Sequence, residues 1–489
     1  MRHSKTPDIA LQDRAEGSAQ TRQEQVYHSL RCAMTDGLLA LGAQLPSSRE
    51  LAQRWGMSRG TVEQVYERLV IEGYLLRRQG AGTFVAGRLP EHFLPAQARN
   101  GRPAAPQAMP PALVLTSPGA IRHCSQLRLG QAFASPLADP ALLDMDKWRR
   151  YLQQATRHIG PALLQETPYA GLPALREAIA AYVRLTRRID CSAEDIVVTT
   201  GVRQALSLVA DMLAGSEQLL QMEDPSYVLG RRVFEARKLA MHPVPVDGEG
   251  LVVSQLQAQA GGAVYVTPAH QSPLGVTMSP ARRAALLDWA RRQGALIIED
   301  DYDSDYSYVQ SPPPALKAGD ASDQVLYCSS FNKVLYLSLR IGFIIPPRAW
   351  RADIVQSLRA SGSQPGLIEQ QALASMIASG DIYSHLRHSR RIYERRRNIV
   401  LRALCRHLDA PRLSGEQGGF RFLLWLPSGM DDREVAAALA AEGIYTPPLS
   451  DYCSVHAQPP GLIIGFASVP DAQLAAAAEG LGRWLARHA

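Results

Sequence analysis

Lysine is scarce in this sequence: five in 489 residues (Lys5, Lys147, Lys238, Lys317, Lys333), so arginine supplies nearly all of the 52 basic residues. A coding bias toward GC-rich codons is the plain explanation for that imbalance. The six cysteines form no CxxC pair, which argues against a disulfide framework or a zinc site and suits a reducing cytosol. Long apolar runs are missing too, so nothing is long enough to span a bilayer. Residues 1–20 have no apolar core of signal-peptide type and read as a disordered leader. No internal repeat occurs. Together these absences point to a cytoplasmic protein without a membrane or metal partner.

What is present is ordinary globular sequence, 46% hydrophobic and 20% charged, in a chain long enough for two or three units. The formal charge of +6 is modest, and residues 1–90 carry twelve basic against nine acidic residues. That permits nucleic-acid binding without demonstrating it. Three zones follow from the pattern. Residues 20–85 alternate short helical patterns with a small strand signal. Residues 86–125 are rich in Pro and Ala without periodicity and read as a semi-rigid linker. From 126 to 489, short apolar strands (195–200, 263–267, 295–298, 324–328) alternate with helical stretches such as 281–294. Strands apolar throughout belong in a mainly parallel sheet buried on both faces, so the architecture is α/β. From about 365 the pattern turns mostly helical with a few strands, as expected for a smaller lobe.

In the first zone Val26, Leu30 and Met34 recur at helical spacing. Pro46-Ser47-Ser48 is an N-terminal cap signal for a helix continuing through Trp55. Gly56 breaks that helix and Ser58 caps the next, whose buried face is Val62, Val65, Tyr66, Leu69 and Val70. Two short helices around a glycine turn make a helix-turn-helix pattern. YLLRRQGAGTFVAG then reads as a two-stranded wing turning at Gly80–Gly82. A small helical bundle with no DNA contact fits the same periodicity. Residues 26–85, with LPS-x-REL, SR-x-TV, EGYL and GxGTFV in order, closely resemble the winged-helix domain of GntR-type regulators. That resemblance implies that Arg49, Ser58, Arg59, Gly60 and Thr61 meet DNA, with Gly80 at the wing tip. The chemistry agrees, since the first turn of a recognition helix faces base edges and an arginine before it reaches phosphate.

In the second zone of interest, ligands of an open α/β sheet bind beyond the carboxyl ends of its strands. Gly201-Val202-Arg203 opens a helix there, offering free amides to a phosphate. Pro268-Ala269-His270-Gln271, Glu299-Asp300-Asp301-Tyr302 and Ser329-Ser330-Phe331-Asn332-Lys333 follow three further strands. Singly these residues read as solvated caps and surface charge; EDDYDSDY admits an acidic metal cluster only as a minor alternative, since no histidine lies close in sequence. Jointly, a phosphate cradle, a carboxylate and a lysine are what pyridoxal 5'-phosphate (PLP) requires.

From about 165 onward ETPYAGLPALREAIAAY, TTGVRQAL, EDPSY, TPAHQSPLGVTMS, IIEDDYDSDY and SSFNKVLYLSLRIGF resemble fold-type I aminotransferases in order. Their particular form is similar to MocR-type regulators, a GntR subfamily that fuses this domain to a winged helix. The resemblance implies that Lys333 is the aldimine lysine and that Asp300 pairs with the pyridine nitrogen. It places Tyr302 on the ring hydroxyl, Tyr227 stacked on the ring and His270 beside it. Val202, Arg203, Ser330 and Arg340 would hold the phosphate, with Tyr169 contributed by the second subunit of a homodimer.

Two departures matter. Ser272 stands where aminotransferases carry an asparagine, and Ile463 stands where they carry the carboxylate-binding arginine. Losing a bidentate anchor weakens the hold on an α-amino acid by a few kcal/mol. Arg421 is either its substitute or a surface strand residue. The expectation is therefore a DNA-binding regulator that senses PLP or an amine effector, with efficient transamination not expected; the alternative is an active aminotransferase with an accessory DNA-binding module. One further feature, Arg387, Arg391 and Arg395, makes a basic helical stripe, read either as a second DNA surface or as a solvated face.

Overall fold

The computed structural model describes residues 21–90 and 130–488, apart from 135–136, 162, 164–167, 215–217, 259 and 309–312. The expected leader and most of the expected linker (91–125) lie outside the described residues. Those described fall into two compact units, 21–90 and 130–488.

The smaller unit is built from α1 (Arg22–Thr35), α2 (Ser48–Arg54), α3 (Arg59–Ile71), β1 (Leu75–Arg78) and β2 (Gly82–Val85). Each helix starts where a hydroxyl satisfies an orphan amide. Thr21 and Glu24 form a reciprocal cap on α1, Ser47 accepts from the Glu50 amide, and Ser58 accepts from the Thr61 amide at 3.1 Å. Val26, Leu30, Met34, Leu51, Val62, Val65, Tyr66 and Leu69 form one core, with Val70 only half-buried. The Tyr66 hydroxyl, the polar tip of that core, donates to the Pro46 carbonyl at 2.8 Å. β1 and β2 pair antiparallel from Leu75↔Val85 to Arg78↔Gly82, and Gly80 (φ 75°) supplies the left-handed turn between them.

The larger unit centres on an eight-stranded sheet. In chain order its strands are β3 (Val197–Thr199), β4 (Leu220–Asp224), β5 (Met241–Asp247), β6 (Gly250–Leu251), β7 (Ala263–Val266), β8 (Leu296–Asp301), β9 (Val325–Ser330) and β10 (Gly342–Ile345). The spatial order is β3-β10-β9-β8-β7-β4-β5-β6. Strands β9, β8, β7, β4 and β5 run parallel, while β10 is antiparallel to both its neighbours, which keeps β3 aligned with the parallel set. Helices α4 (Met145–His158), α5 (Pro173–Arg187), α6 (Val202–Leu213), α7 (Val228–Glu235), α8 (Pro280–Gln293), α9 (Arg348–Ser361) and α10 (Leu367–Ala378) accompany it. Two apolar clusters sandwich the sheet. Val198, Tyr327 and Phe343 pack with Ile179 and Val183 of α5, whereas Leu206 and Val209 of α6 pack against Tyr265, Ile298 and Leu326. This is the double coverage that strands apolar on both faces require.

The remaining elements are α11 (Asp381–His407), β11 (Leu413–Ser414), β12 (Arg421–Trp425), α12 (Asp432–Ala441), β13 (Gly461–Gly465) and α13 (Asp471–His488). β11, β12 and β13 form an antiparallel sheet in that order. Helices α11 and α13 cover it through Val400, Leu404, Leu474 and Leu481. Among the described residues, no helix is long and apolar enough to cross a membrane.

Candidate functional site

Every parallel strand of the large sheet releases its chain at the same edge, and the polar residues gather there. β9 ends in Ser330, and Lys333 follows in the next turn, its side chain largely buried with Nζ 4.2 Å from the centre of the Tyr302 ring. Burial and the nearby charge of Arg421 pull its ammonium down to about 8, despite Asp303 and Asp300 close by. Desolvation disfavours the charged form, so a larger share of this amine is neutral and nucleophilic near physiological pH than in a solvated lysine.

Asp300, on β8, is almost wholly buried. Its Oδ2 accepts a hydrogen bond from the Tyr265 hydroxyl at 2.6 Å, and its Oδ1 is buried with no partner. Burial pushes this carboxyl up to about 7, against the Tyr265 bond and the Lys333 charge. An orphaned carboxylate oxygen is a costly feature in a folded chain, and it leaves Asp300 able to accept one further N–H.

The acidic run does not converge on one ion, because strand alternation and the following turn send its members apart. Glu299 accepts from the Leu316 and Lys317 amides, Asp301 pairs with Arg187 at 2.5 Å, Asp303 meets His270 Nδ1 at 3.3 Å, and Asp305 accepts from Tyr182 at 2.6 Å. The metal reading of EDDYDSDY thus finds each carboxylate with its own partner. Arg187 and Asp301 are both deeply buried, a cross-link between the end of α5 and β8.

An anion cradle lies beside the lysine. Gly201 (φ 125°) sets the start of α6, leaving the Val202 and Arg203 amides in the first turn, where helices carry free donors. A side chain at Gly201 would meet Asn332 Nδ2 at 2.8 Å, so only glycine lets the helix start approach the lysine turn. Arg340, in a left-handed conformation (φ 54°), has its guanidinium depressed by burial and by the charge of Arg203. Two guanidinium groups held close enough to repel make a site for an anion. Tyr227 caps α7, its ring packed where a side chain on Gly230 would clash at 2.8 Å. Phosphate cradle, amine and orphaned carboxylate fit PLP.

His270 stands near Tyr302 (ring centres 6.3 Å apart), with Nε2 3.2 Å from the Gly415 carbonyl. Gln271 turns away and donates to Glu223 and to the Pro225 carbonyl. Tyr169 lies apart from this cluster in the contacts of its own chain: its ring carries Arg359 at 5.7 Å and its carbonyl accepts from Gln364.

Two features sharpen or extend the sequence reading. Arg421 is buried at the heart of the cleft, where Nη2 donates to Ser272 Oγ at 2.8 Å and the Tyr302 hydroxyl at 3.2 Å while Nε is buried without a partner. The surface-strand reading of Arg421 is thereby corrected: the alternation of β12 turns it inward. Ile463, opposite Leu423 on β13, packs among Leu274, Leu423 and Leu449, and its aliphatic side chain can anchor no anion. The second feature is Asp224 at the end of β4, whose carboxylate accepts from the Ser454, Val455 and His456 amides, each at 2.7 Å. It pins the 454–456 loop over the strand edge, and its only sequence signal was its place in EDPSY.

In the smaller unit, Arg49, Ser58, Arg59 and Gly60 are exposed around the starts of α2 and α3, with Thr61 half-buried and bonded to Ser58. Gly80 sits at the tip of the β1–β2 turn. Arg77 of β1 is drawn back onto α3 by Glu63 and Glu67.

Comparison with known proteins agrees with this division. Residues 22–85 match the bacterial regulatory proteins of the gntR family, and residues 137–481 match aminotransferase class I and II, whose cofactor is PLP. The chain is 32% identical over 452 residues to "Probable rhizopine catabolism regulatory protein MocR" of Rhizobium meliloti, covering 91% of this chain and 90% of that protein. It is 33% identical over 445 residues to the HTH-type pyridoxine biosynthesis transcriptional regulator PdxR of Corynebacterium glutamicum, covering 91% of each. Among solved structures, an archaeal alanine:glyoxylate aminotransferase superposes with a TM-score of 0.67 at 25% identity, covering 74% of this chain and 92% of that one. The chain belongs to the gntR family of bacterial regulatory proteins, in the MocR-type branch where a class I and II aminotransferase domain that binds PLP follows the helix-turn-helix unit.

Proposed function

We propose that this protein is a cytoplasmic, homodimeric regulator that binds operator DNA through residues 20–85. In this reading residues 126–489 sense PLP or an amine effector, and residues 86–125 link the two. The observation that carries it is that one cleft holds both a buried Lys333 amine with a depressed pKa and the orphaned Oδ1 of Asp300, in a chain that also carries a capped helix-turn-helix. When bound, PLP supplies an aldehyde that condenses with amines and a ring that draws electrons. Lys333 would supply the amine for that bond, and Asp300 would pair with the ring nitrogen, its second oxygen already held by Tyr265. Tyr302 and Tyr227 would flank the ring, while Val202, Arg203, Ser330 and Arg340 would take the phosphate and Tyr169 would be supplied by the second subunit. On DNA, Ser58–Thr61 read base edges, Arg49 binds phosphate and Gly80 lets the wing approach the backbone.

Arg421 supports an effector with an acidic group, such as a carboxylate or sulfonate, because its buried Nε has no partner. Such an effector shifts DNA affinity only through a difference in binding between two arrangements of the protein. The test is operator binding by the PLP-loaded protein, titrated with a panel of acidic and neutral amines. A change in operator affinity with an acidic amine supports the reading; no change with any amine or with PLP overturns it. The same Arg421 favours a second reading, an active aminotransferase. Sustained turnover of an amino donor with a keto acid would establish that reading in place of the sensor.

A further inference from the structure

The basic stripe on α11 is not one surface. Arg395 is drawn to Asp471 at 2.7 Å, and Arg391 is exposed. Arg387 instead lines a cavity of about 560 Å³ with Arg390, one turn further along α11, and with Arg187 and Arg188 at the end of α5. Among the described residues of its lining, Asp305 is the one carboxylate. Arg187 is matched from behind by Asp301. That leaves Arg188, Arg387 and Arg390 against Asp305, an excess of positive charge in one hollow. Arg390 spends Nη2 on the Asp305 carbonyl, not on its carboxylate.

Three guanidinium nitrogens of residues lining the cavity are buried without a hydrogen-bond partner: Arg390 Nε, Arg187 Nη2 and Arg187 Nε, the last ion-paired with Asp301. Buried donors of this kind are costly to leave unmade, and arginine forks match the oxygens of a phosphate. One wall is aromatic: Tyr383, whose ring stacks on Tyr182 (6.0 Å, 23°). The volume falls in the range of small-molecule sites, about 300–1,000 Å³, and exceeds what an inorganic anion fills.

We propose that this cavity is a second ligand site, distinct from the Lys333 cleft, that binds a small organic phosphate through Arg188, Arg387 and Arg390 with its organic part against Tyr383. A phosphate monoester carries a charge of about −1.5 to −2 at pH 7, which balances the local excess. The site has a physical route to the cofactor cleft. Arg187 forms its wall and holds Asp301, the chain neighbour of Asp300.

The experiment is isothermal titration of the full-length, PLP-loaded protein with phenyl phosphate, and separately with inorganic phosphate, at constant ionic strength. Loading with PLP occupies the Arg203–Arg340 cradle, so a phosphate probe reports elsewhere. The expected result is saturable binding of phenyl phosphate, with inorganic phosphate about tenfold weaker or more. Arg387→Glu should weaken phenyl phosphate about tenfold or more, and Arg387→Gln by less. Arg391→Glu, which makes the same charge change one residue outside the lining, should leave binding unaltered. Circular dichroism of the variants checks folding; Arg387 is exposed, so both substitutions are expected to fold. No saturation up to about 10 mM phenyl phosphate would overturn the proposal. So would equal losses in Arg387→Glu and Arg391→Glu, which would mark a general field, or equal affinity for the two probes, which would remove Tyr383 from the site.

Discussion

Replacing Tyr265 with Phe tests how the cleft keeps Asp300 ionised. The two side chains meet through one 2.6 Å hydrogen bond in a buried setting, and the ring also packs edge-on against Phe234, 6.0 Å away, so Phe keeps the packing. Burial pushes the Asp300 carboxyl up to about 7 while the Tyr265 hydroxyl opposes that push. Removing the donor destabilises the charged form, so the carboxyl must rise further. A hydrogen bond to a charged group contributes about 1.5–3 kcal/mol, which corresponds to roughly 1–2 pH units. At pH 7.5 the ionised fraction then falls from roughly three-quarters to between about a quarter and a few per cent. Since the ionised form is the partner of a protonated ring nitrogen, PLP affinity should drop by about 3- to 25-fold. Absorbance titration of the cofactor-free variant with PLP measures this, and repeating it at pH 9 should shrink the deficit. Unchanged affinity, or a deficit independent of pH, would refute the reasoning.

The Lys333 ammonium, pulled down to about 8, predicts that the rate of cofactor attachment rises about tenfold per pH unit below 8 and levels off above it; stopped-flow absorbance checks the profile. Arg421→Leu should weaken binding of acidic amines by about tenfold or more while neutral amines bind unchanged, read from the visible spectrum of the loaded protein. Arg187→Met leaves the buried Asp301 without its cationic partner, so urea unfolding of the larger unit should lose about 3–5 kcal/mol, with part regained in the Arg187→Met/Asp301→Leu double variant. On DNA, Arg59→Ala should lower specific operator affinity, whereas Arg49→Ala should reduce the salt dependence of binding, both measured by fluorescence anisotropy.

The parts of the fold legible in the sequence are those whose local chemistry agrees with their setting. β3, β7, β8 and β9 are apolar on both faces because both faces are covered, and Ser47 and Ser58 cap helices where their hydroxyls satisfy amides. β4 escaped notice because three of its five residues are polar: Gln221 and Glu223 are buried against Gln257 and Thr267, and Asp224 against the 454–456 amides. β5 carries Pro243 and Pro245, which disguise a strand paired in parallel with β4. The short β10 followed Arg340 without a break to announce it. In the cleft, residues at strand ends were legible because topology alone brings strand ends together. Tyr265 and the Arg187–Asp301 pair were not, and Arg421 was legible only as one of two alternatives, since each depends on which face of an element turns inward or on a contact across more than thirty residues.

The central claim is that Lys333 holds the cofactor. It is tested most directly by loading the full-length protein with PLP, reducing it with borohydride and mapping the adduct by peptide mass. The account predicts one stoichiometric adduct, on the peptide carrying Lys333, and none in Lys333→Ala. An adduct on any of the other four lysines, or a wild-type protein that takes up no label, would contradict it.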